Sequence, residues 1–322
     1  MRDVAVVAFA QSPPVRNGTG TTSGVDMLVP LLAEVLDRTR LSKDDIGFWC
    51  SGSSDYLAGR AFSFVNAVDA LGAYPPINES HVEMDGAWAF YEAWVKILSG
   101  EVDTALVYGF GKSSAGDLNR VLALQLDPYL VAPLWPDARS VAALQARLGI
   151  DAGLWTEKDM AQIAGGGLEG PYIAEPLREH DCAPFADGAA VVVLAAAGRA
   201  ERLCDRPAWI VQLEHRIEAQ SFDRLDIPWM AEIGSDVDIA ELHAPFTHQE
   251  IILRRALRLG DDVIVNPAGG VLAGHAMFAA GLARIGAAAT HVMQGRARRT
   301  LAHATSGPAL QQNLVCVLAE RK

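Results

Sequence analysis

The chain has 322 residues, of which half are hydrophobic, and its 27 Lys and Arg against 39 Asp and Glu give a formal net charge of -12. This length and apolar fraction suffice for about two domains or one large α/β body with a sizeable core. The acidic balance argues against binding to nucleic acid or to an anionic membrane, because both depend on Lys and Arg to neutralise phosphates.

The four cysteines are widely spaced and form no C-x-x-C pair, namely Cys50, Cys182, Cys204 and Cys316. This spacing suggests neither a zinc site nor a disulfide framework, and it is typical of reduced thiols in a cytosolic protein. The N-terminus runs straight into a strand pattern without the features of a signal peptide. No apolar stretch approaches the roughly 18 residues of a membrane span. We therefore expect a soluble, cytoplasmic protein.

In chain order, short apolar runs predict strands over residues 4–9, 46–50, 104–108, 189–195, 209–214, 237–242, 262–265 and 314–318. Runs without polar alternation are typical of strands covered on both faces, so the sheets should lie between helices. Helical patterns cover residues 24–40, 86–98, 140–148, 248–259 and 275–289. The helices 86–98 and 275–289 are apolar all round, which places them inside the protein.

The two apolar helices each follow a strand and a loop, so the chain resembles two rough copies of one α/β unit. We predict an N-terminal half over residues 1–206 and a C-terminal half over residues 207–322. Residues 115–184 are rich in proline and include the run Gly165–Gly167, which predicts an insertion over the surface. Such a loop either shapes a substrate site or serves packing and oligomer contacts.

A glycine-rich loop leads from the strand at 262–265 to His275. Glycines let the backbone turn sharply and approach a ligand closely, which makes Asn266, Gly269, Gly270 and Gly274 candidate ligand-binding residues. A lone histidine at the start of an apolar helix is more often structural. Here the glycine-rich approach favours a histidine at the floor of a pocket.

A second histidine motif, residues 241–250, lies where another strand ends and a helix begins. His243 is at the strand tip, a favoured place for ligand contact in α/β proteins. Thr247 followed by Glu250 matches a capping box, which is a structural feature. A short basic run at 296–299 is either a solvated helix end or a local patch for an anionic coenzyme.

Taken in order, these segments resemble the thiolase superfamily, and most of all its sterol-carrier-type, lipid-transfer branch. The resemblance runs through residues 4–9, 99–109, 187–190, the His243 motif, the loop to His275 and residues 306–313. It implies a thiolase-like α/β fold of two pseudo-symmetric halves in five αβαβα layers. It also implies an acyl-CoA thioester as substrate, with coenzyme A present only as part of that thioester, no tightly bound cofactor and no metal.

Two histidines match positions that bind the thioester oxygen and steady an enolate in thiolases. His275 matches the histidine of the family's Gly-His-Pro loop, although Ala276 replaces the usual proline, and His243 opens the family's Asn-Glu-Ala-Phe or His-Asp-x-Phe motif. The nucleophilic cysteine position falls on Glu83, with Gly86 three residues later, and no cysteine lies within residues 79–94. The second catalytic cysteine has no counterpart around Ser306 either.

Without an acyl-cysteine we do not expect ordinary thiolysis, because the nucleophile raises the reaction rate by orders of magnitude. Retro-aldol cleavage of a β-hydroxyacyl-CoA needs only a base and donors to the enolate oxygen. His243 and His275 are the predicted donors, and Glu83 or Asp85 the candidate bases, with a helix N-cap as the alternative for Asp85. The aldolases of the lipid-transfer branch use tyrosines, and the resemblance makes Tyr56 and Tyr91 candidates for that role.

The resemblance implies an acyl-CoA lyase of lipid or steroid catabolism, with a steroid-derived acyl group as one candidate substrate. It implies a homodimer, or a hetero-oligomer with a thiolase-like chain or with a small zinc-ribbon OB-fold protein. The alternatives are a non-catalytic acyl-CoA-binding or scaffold subunit and, third, an acyl-CoA acyltransferase. The segment 220–235 is too short for the long helix that thiolases place there, which favours the non-catalytic alternative.

Overall fold

The computed structural model describes residues 2–16, 23–58, 62–129 and 131–321. Its strands are β1 (Val4–Gln11), β2 (Val15–Arg16), β3 (Phe48–Gly52), β4 (Glu79–Val82), β5 (Thr104–Lys112), β6 (Tyr172–Ala174), β7 (Leu177–Arg178), β8 (Phe185–Ala196), β9 (Ala208–Ile217), β10 (Ile239–Glu241), β11 (Ile264–Val265), β12 (His275–Ala276), β13 (Arg299–Ser306) and β14 (Gln312–Ala319). Its helices are α1 (Gly24–Thr39), α2 (Asp55–Ala58), α3 (Ser63–Leu71), α4 (Gly86–Leu98), α5 (Leu118–Ala123), α6 (Ala138–Asp151), α7 (Glu157–Ala164), α8 (Ala197–Leu203), α9 (Thr247–Ala256) and α10 (Ala280–Met293).

Ten strands form two arrays of five that repeat one pattern. The N-terminal array has the order β1-β8-β5-β3-β4 and the C-terminal array the order β9-β14-β13-β10-β11. In each array the first two pairings are antiparallel and the last two parallel. The arrays join where β1 pairs with β9, through Ala5 with Trp209 and Val6 with Ala208. This repetition confirms the predicted pseudo-symmetric α/β fold.

The helices α4 and α10 form the central layer between the two arrays. Their buried side chains share one apolar cluster with residues of β5 and β8 on one side and of β13 and β14 on the other. The helices α1, α3 and α8 cover the outer face of the N-terminal array, and α9 with α6 and α7 covers the C-terminal array. The layers therefore follow the order αβαβα, and both apolar helices are interior as predicted.

Strand β8 shows why its sequence carries no polar alternation. Val192 and Leu194 face the central layer, whereas Val191 and Val193 face the outer helices, and all four side chains are fully buried. A strand covered on both faces must be apolar at every position. The predicted run therefore corresponds to the centre of the N-terminal array.

The C-terminal half lacks one long helix. Between β1 and β3 the chain forms the 16-residue α1, but between β9 and β10 it forms only a 3₁₀ turn at Pro228–Met230. The short segment 220–235 predicted this difference. The predicted boundary after residue 206 falls between α8 and β9, and the division into domains stays a prediction.

Several sequence expectations need correction. Residues 79–82 form the strand β4 and residues 299–306 form the strand β13, neither of which the sequence analysis predicts. His275 lies in β12, and α10 begins five residues later. The predicted capping box is absent at α9, because Thr247 is the first helical residue and its hydroxyl donates to Asp181 Oδ1 at 2.7 Å. The strands β4 and β13 contain several polar residues, and apolar periodicity is a poor guide to such segments.

Within the described ranges, no helix has the length and hydropathy needed to cross a membrane.

Candidate functional site

The two predicted histidines lie side by side. His243 follows β10 and His275 begins β12, and their Nε2 atoms are 3.0 Å apart in a hydrogen bond. Their rings meet edge to face, and each residue is at most 7% exposed. The ring of Phe185 stacks on His275 at 5.8 Å between centroids. The fold thus brings together two histidines that are 32 residues apart in the chain.

Burial keeps both imidazoles neutral. It lowers the pKa of His275 to about 4, and it lowers the pKa of His243 well below 6.5, with the neighbouring His275 and His303 and the charge of Arg284 adding to the effect. Uncharged imidazoles share a hydrogen only if one ring donates and the other accepts. The pair is therefore a neutral donor-acceptor unit at pH 7.

The backbone determines which ring donates. The N–H of Thr305 points at Nδ1 of His243 at 3.4 Å, so Nδ1 accepts and Nε2 carries the hydrogen. His243 then donates to Nε2 of His275, whose own hydrogen lies on Nδ1. That Nδ1 is buried and has no hydrogen-bond partner among the described residues. The pair thus ends in an unused donor.

A third histidine, which the sequence reasoning missed, lies next to this pair. His303 is fully buried in β13, and its Nε2 bonds Oδ1 of Asn313 in β14 at 3.0 Å. Burial lowers its pKa to about 4. Its position inside a strand was not a recognisable signal, because β13 itself was not predicted.

Asp85 binds the N-termini of both central helices. Its Oδ1 accepts the N–H groups of Ala87, at 2.9 Å, and of Leu282, at 3.0 Å, and its Oδ2 accepts that of Gly281 at 2.9 Å. Burial raises the pKa of Asp85, and the three backbone donors oppose that rise. This geometry favours the helix-cap alternative over the predicted role as a base.

Glu83 lies on the wall of an open groove of about 510 Å³. Its carboxylate accepts a hydrogen bond from the hydroxyl of Ser54 at 3.3 Å, and its side chain is exposed. The groove is otherwise lined by residues of five segments: Ser54, Tyr56, Met84, Val121, Leu124, Gln125, Phe278, Ser306, Gly307, Gln311 and Gln312. Among these described lining residues there is no cysteine.

The groove and the histidine pair are joined through the backbone. Ser306 lines the groove and follows Thr305, whose N–H binds His243, and Phe278 lines it three residues after His275. Phe278 has φ 65°, and its carbonyl accepts the N–H of Gly86 at 2.8 Å. A side chain in the left-handed region is uncommon and marks a constrained backbone.

The glycine-rich loop is held from inside. Oδ1 of Asn266 accepts the N–H of Leu242 at 2.6 Å, and its Nδ2 donates to Glu250 at 2.7 Å, so both ends of this amide are used within the fold. Gly269 and Gly270 have positive φ values of 92° and 58°. A Cβ on Gly274 would lie 2.8 Å from Pro14. The predicted coenzyme contacts of these four residues stay a prediction.

Of the two candidate tyrosines, only Tyr56 lines the groove with Glu83. Tyr91 packs in α4 against His215, with ring centroids 4.5 Å apart.

None of the four cysteines is placed as a nucleophile of the groove. Cys50 and Cys316 lie inside β3 and β14, and burial raises the pKa of each thiol. Burial raises the pKa of Cys182 to about 11, and it raises that of Cys204 as well. Raised thiol pKa values are characteristic of inert, structural cysteines.

No protein-family model matches the chain. Among curated proteins, an acetyl-CoA acetyltransferase of Methanothermobacter thermautotrophicus is 29% identical over 36% of this chain and 39% of its own length. The chain therefore spans about two fifths of the relative that it matches.

Solved thiolase structures match the whole fold. The human mitochondrial 3-ketoacyl-CoA thiolase superimposes with a TM-score of 0.79 at 14% identity, covering 100% of this chain and 99% of that one. The same human enzyme in complex with CoA gives 0.76 at 15% identity, over 100% and 98%. The dimeric peroxisomal thiolase of Saccharomyces cerevisiae gives 0.75 at 16% identity, over 99% and 98%. The chain thus has a thiolase-like fold and a distant relative among the acetyl-CoA acetyltransferases.

Proposed function

We propose that the protein cleaves the carbon-carbon bond of a β-hydroxyacyl-CoA by a retro-aldol reaction. The observation that carries this proposal is the buried, neutral pair of His243 and His275, with Nε2 atoms 3.0 Å apart and an unused donor on His275. Neutral N–H donors stabilise a developing enolate oxygen without a permanent opposing charge. The sequence resemblance assigns these same two positions to the thioester oxygen.

In the proposed reaction, Glu83 removes the proton of the β-hydroxyl group, with Ser54 orienting the carboxylate. The electron pair of the bond between Cα and Cβ moves to Cα and onto the thioester oxygen, while Cβ leaves as an aldehyde or ketone. His275 donates its Nδ1 hydrogen to the enolate oxygen, and His243 holds the ring of His275 through the hydrogen bond between their Nε2 atoms. Return of a proton to Cα then gives the shortened acyl-CoA.

A covalent acyl transfer is the second candidate, because the matching proteins are acetyl-CoA acetyltransferase and thiolases. It requires a thiol at the groove, and the groove-lining residues that the structure describes include Glu83 at the expected position and no cysteine. A non-catalytic acyl-CoA-binding or scaffold subunit is the third candidate. The short connection between β9 and β10 supports that candidate.

For assembly we propose a homodimer or a complex with a thiolase-like chain, since a yeast neighbour of the same fold is dimeric. A partner of the zinc-ribbon OB-fold type, a steroid-derived acyl chain and a cytoplasmic location are proposals that rest on the sequence resemblance.

Incubation with β-hydroxyacyl-CoA and with β-ketoacyl-CoA, followed by mass spectrometry, tests the proposal. The purified chain is assayed alone and together with the proteins encoded beside it. Release of aldehyde or ketone that is lost in His275→Ala and Glu83→Gln, but kept in the exposed control His215→Ala, is the expected result. Absence of turnover with every partner would refute the lyase proposal, and CoA-dependent thiolysis of the ketoacyl ester would establish the second candidate.

A further inference from the structure

Glu241 is a fully buried carboxylate at the end of β10, two residues before His243. Its Oε1 accepts the N–H of Ala268 at 3.1 Å and faces Nε2 of His291 at 3.0 Å. Its Oε2 accepts Nη1 of Arg284 at 2.8 Å. One side chain therefore collects three hydrogen bonds from outside its own strand.

All three donors belong to the elements that flank His275. Ala268 lies in the loop that leads to His275, and Arg284 and His291 lie in α10, which follows it. A second hydrogen bond joins the loop to the end of β10, because Oδ1 of Asn266, at the start of the loop, accepts the N–H of Leu242. Movement of β10 against the loop or α10 would break these bonds together.

We propose that Glu241 is a positioning residue that holds His243 and His275 at hydrogen-bonding distance. The catalytic consequence rests on the proposed function, but the geometric claim does not. Stability alone is a weak explanation for this cluster, because a buried ion pair is often no more stabilising than well-packed apolar residues of similar volume. The distance between His243 and His275 stays fixed only if β10 is held against the segments on both sides of His275. The Glu241 carboxylate supplies these contacts to the loop and to α10.

Two double variants separate positioning from packing. Glu241→Leu with Arg284→Met removes both charges and all the acceptors at similar volume. Glu241→Gln with Arg284→Met also removes both charges, but its amide oxygen can still accept the Ala268 N–H. Replacing both partners avoids leaving one buried charge unpaired. The matched control is Glu157→Leu with Arg178→Met, which removes an ion pair of 2.5 Å between α7 and β7.

The first measurement requires no turnover. Long-range ¹H–¹⁵N NMR of the imidazoles reports whether His243 and His275 share a hydrogen. We expect the shared hydrogen bond in the wild type, in the Gln-containing variant and in the control, and its loss in the Leu-containing variant. If the Leu-containing variant does not fold, the Gln-containing variant decides, because it keeps the contact to Ala268 but loses the ionic contact to α10. A shared hydrogen bond that is weaker there than in the wild type and the control supports the proposal, and an unchanged one overturns it.

The second measurement uses the thioester assay. For the Leu-containing variant we expect kcat to fall by about 100-fold with KM changed by less than about threefold, because misplacement by roughly 1 Å has effects of that size. An unchanged kcat together with an intact histidine pair would show that Glu241 is only structural. If the wild type turns over no thioester, the proposed function fails, while the NMR result still supports or overturns the positioning role.

Discussion

Lowering the pH from 7 to 5 should destabilise this protein strongly, before most carboxylates titrate. Burial lowers the pKa of His275 and of His303 to about 4 and that of His248 to about 3, and it lowers the pKa of His243 as well. In the unfolded chain a histidine titrates near 6.5. Between these values the unfolded state binds more protons than the folded state, so stability falls as the pH falls.

The size of the effect follows from linkage. At pH 5 an unfolded histidine is almost fully protonated, whereas a folded one with a pKa near 4 is mostly neutral, which costs about 2 kcal/mol relative to pH 7. His248, His275 and His303 together give roughly 5–6 kcal/mol. Domains of ordinary stability unfold with about 5–15 kcal/mol, so the loss is a large part of the total.

Urea unfolding followed by circular dichroism from pH 7 to pH 5 measures this loss. His275→Asn should remove close to one proton from the pH dependence, which is about 1.3 kcal/mol per pH unit. The exposed control His215→Asn should keep the wild-type slope. A change of less than about 1 kcal/mol between pH 7 and pH 5 would refute the claim that buried, neutral histidines dominate the acid response.

Three substitutions test the packing that surrounds the site. Asp85→Ala leaves helix N–H groups of α4 and α10 unpaired, and thermal unfolding should show a loss of about 2–4 kcal/mol, against about 1 kcal/mol for Asp85→Asn; equal losses would contradict the cap. Gly286→Ala places a Cβ 2.0 Å from the ring of Phe9 and should cost about 1–3 kcal/mol in urea unfolding. Arg258 has φ 51° after α9, so Arg258→Gly should raise the free energy of unfolding by about 0.5–1 kcal/mol. A lower urea midpoint for this variant would count against backbone strain at Arg258.

The sequence predicted the strands that are covered on both faces, and it failed for strands with polar residues. β8 and β14 contain the uninterrupted apolar runs 189–195 and 314–318, whereas β4 contains Glu79 and His81 at an edge of the array. β13 was hidden because its polar residues are satisfied by other elements, as His303 is by Asn313. Such partners are distant in sequence, and composition alone does not reveal them.

The site could be predicted only in part, because some of its residues carry a local sequence signal and others do not. Strand ends and a glycine-rich loop indicated His243 and His275, but their contact depends on how β10 and β12 are placed in the fold. Glu241 carried no local signal, because its role arises from bonds to a loop and a helix more than 25 residues away. Long-range hydrogen bonds are thus the part of the site that a single sequence does not contain.

Asp85 bears on the proposal that the reaction is a retro-aldol cleavage and not a thiolase reaction. A helix N-terminus stabilises a nearby anion through its free N–H groups and its dipole, and this is one way to activate a thiolate. Here the N-termini of α4 and α10 both point at the Asp85 carboxylate, which already takes up three of their N–H groups. Glu83, two residues earlier, lies at an exposed groove wall instead. In the proposed retro-aldol reaction, the donor that the histidine pair offers to a developing oxyanion is the Nδ1 hydrogen of His275.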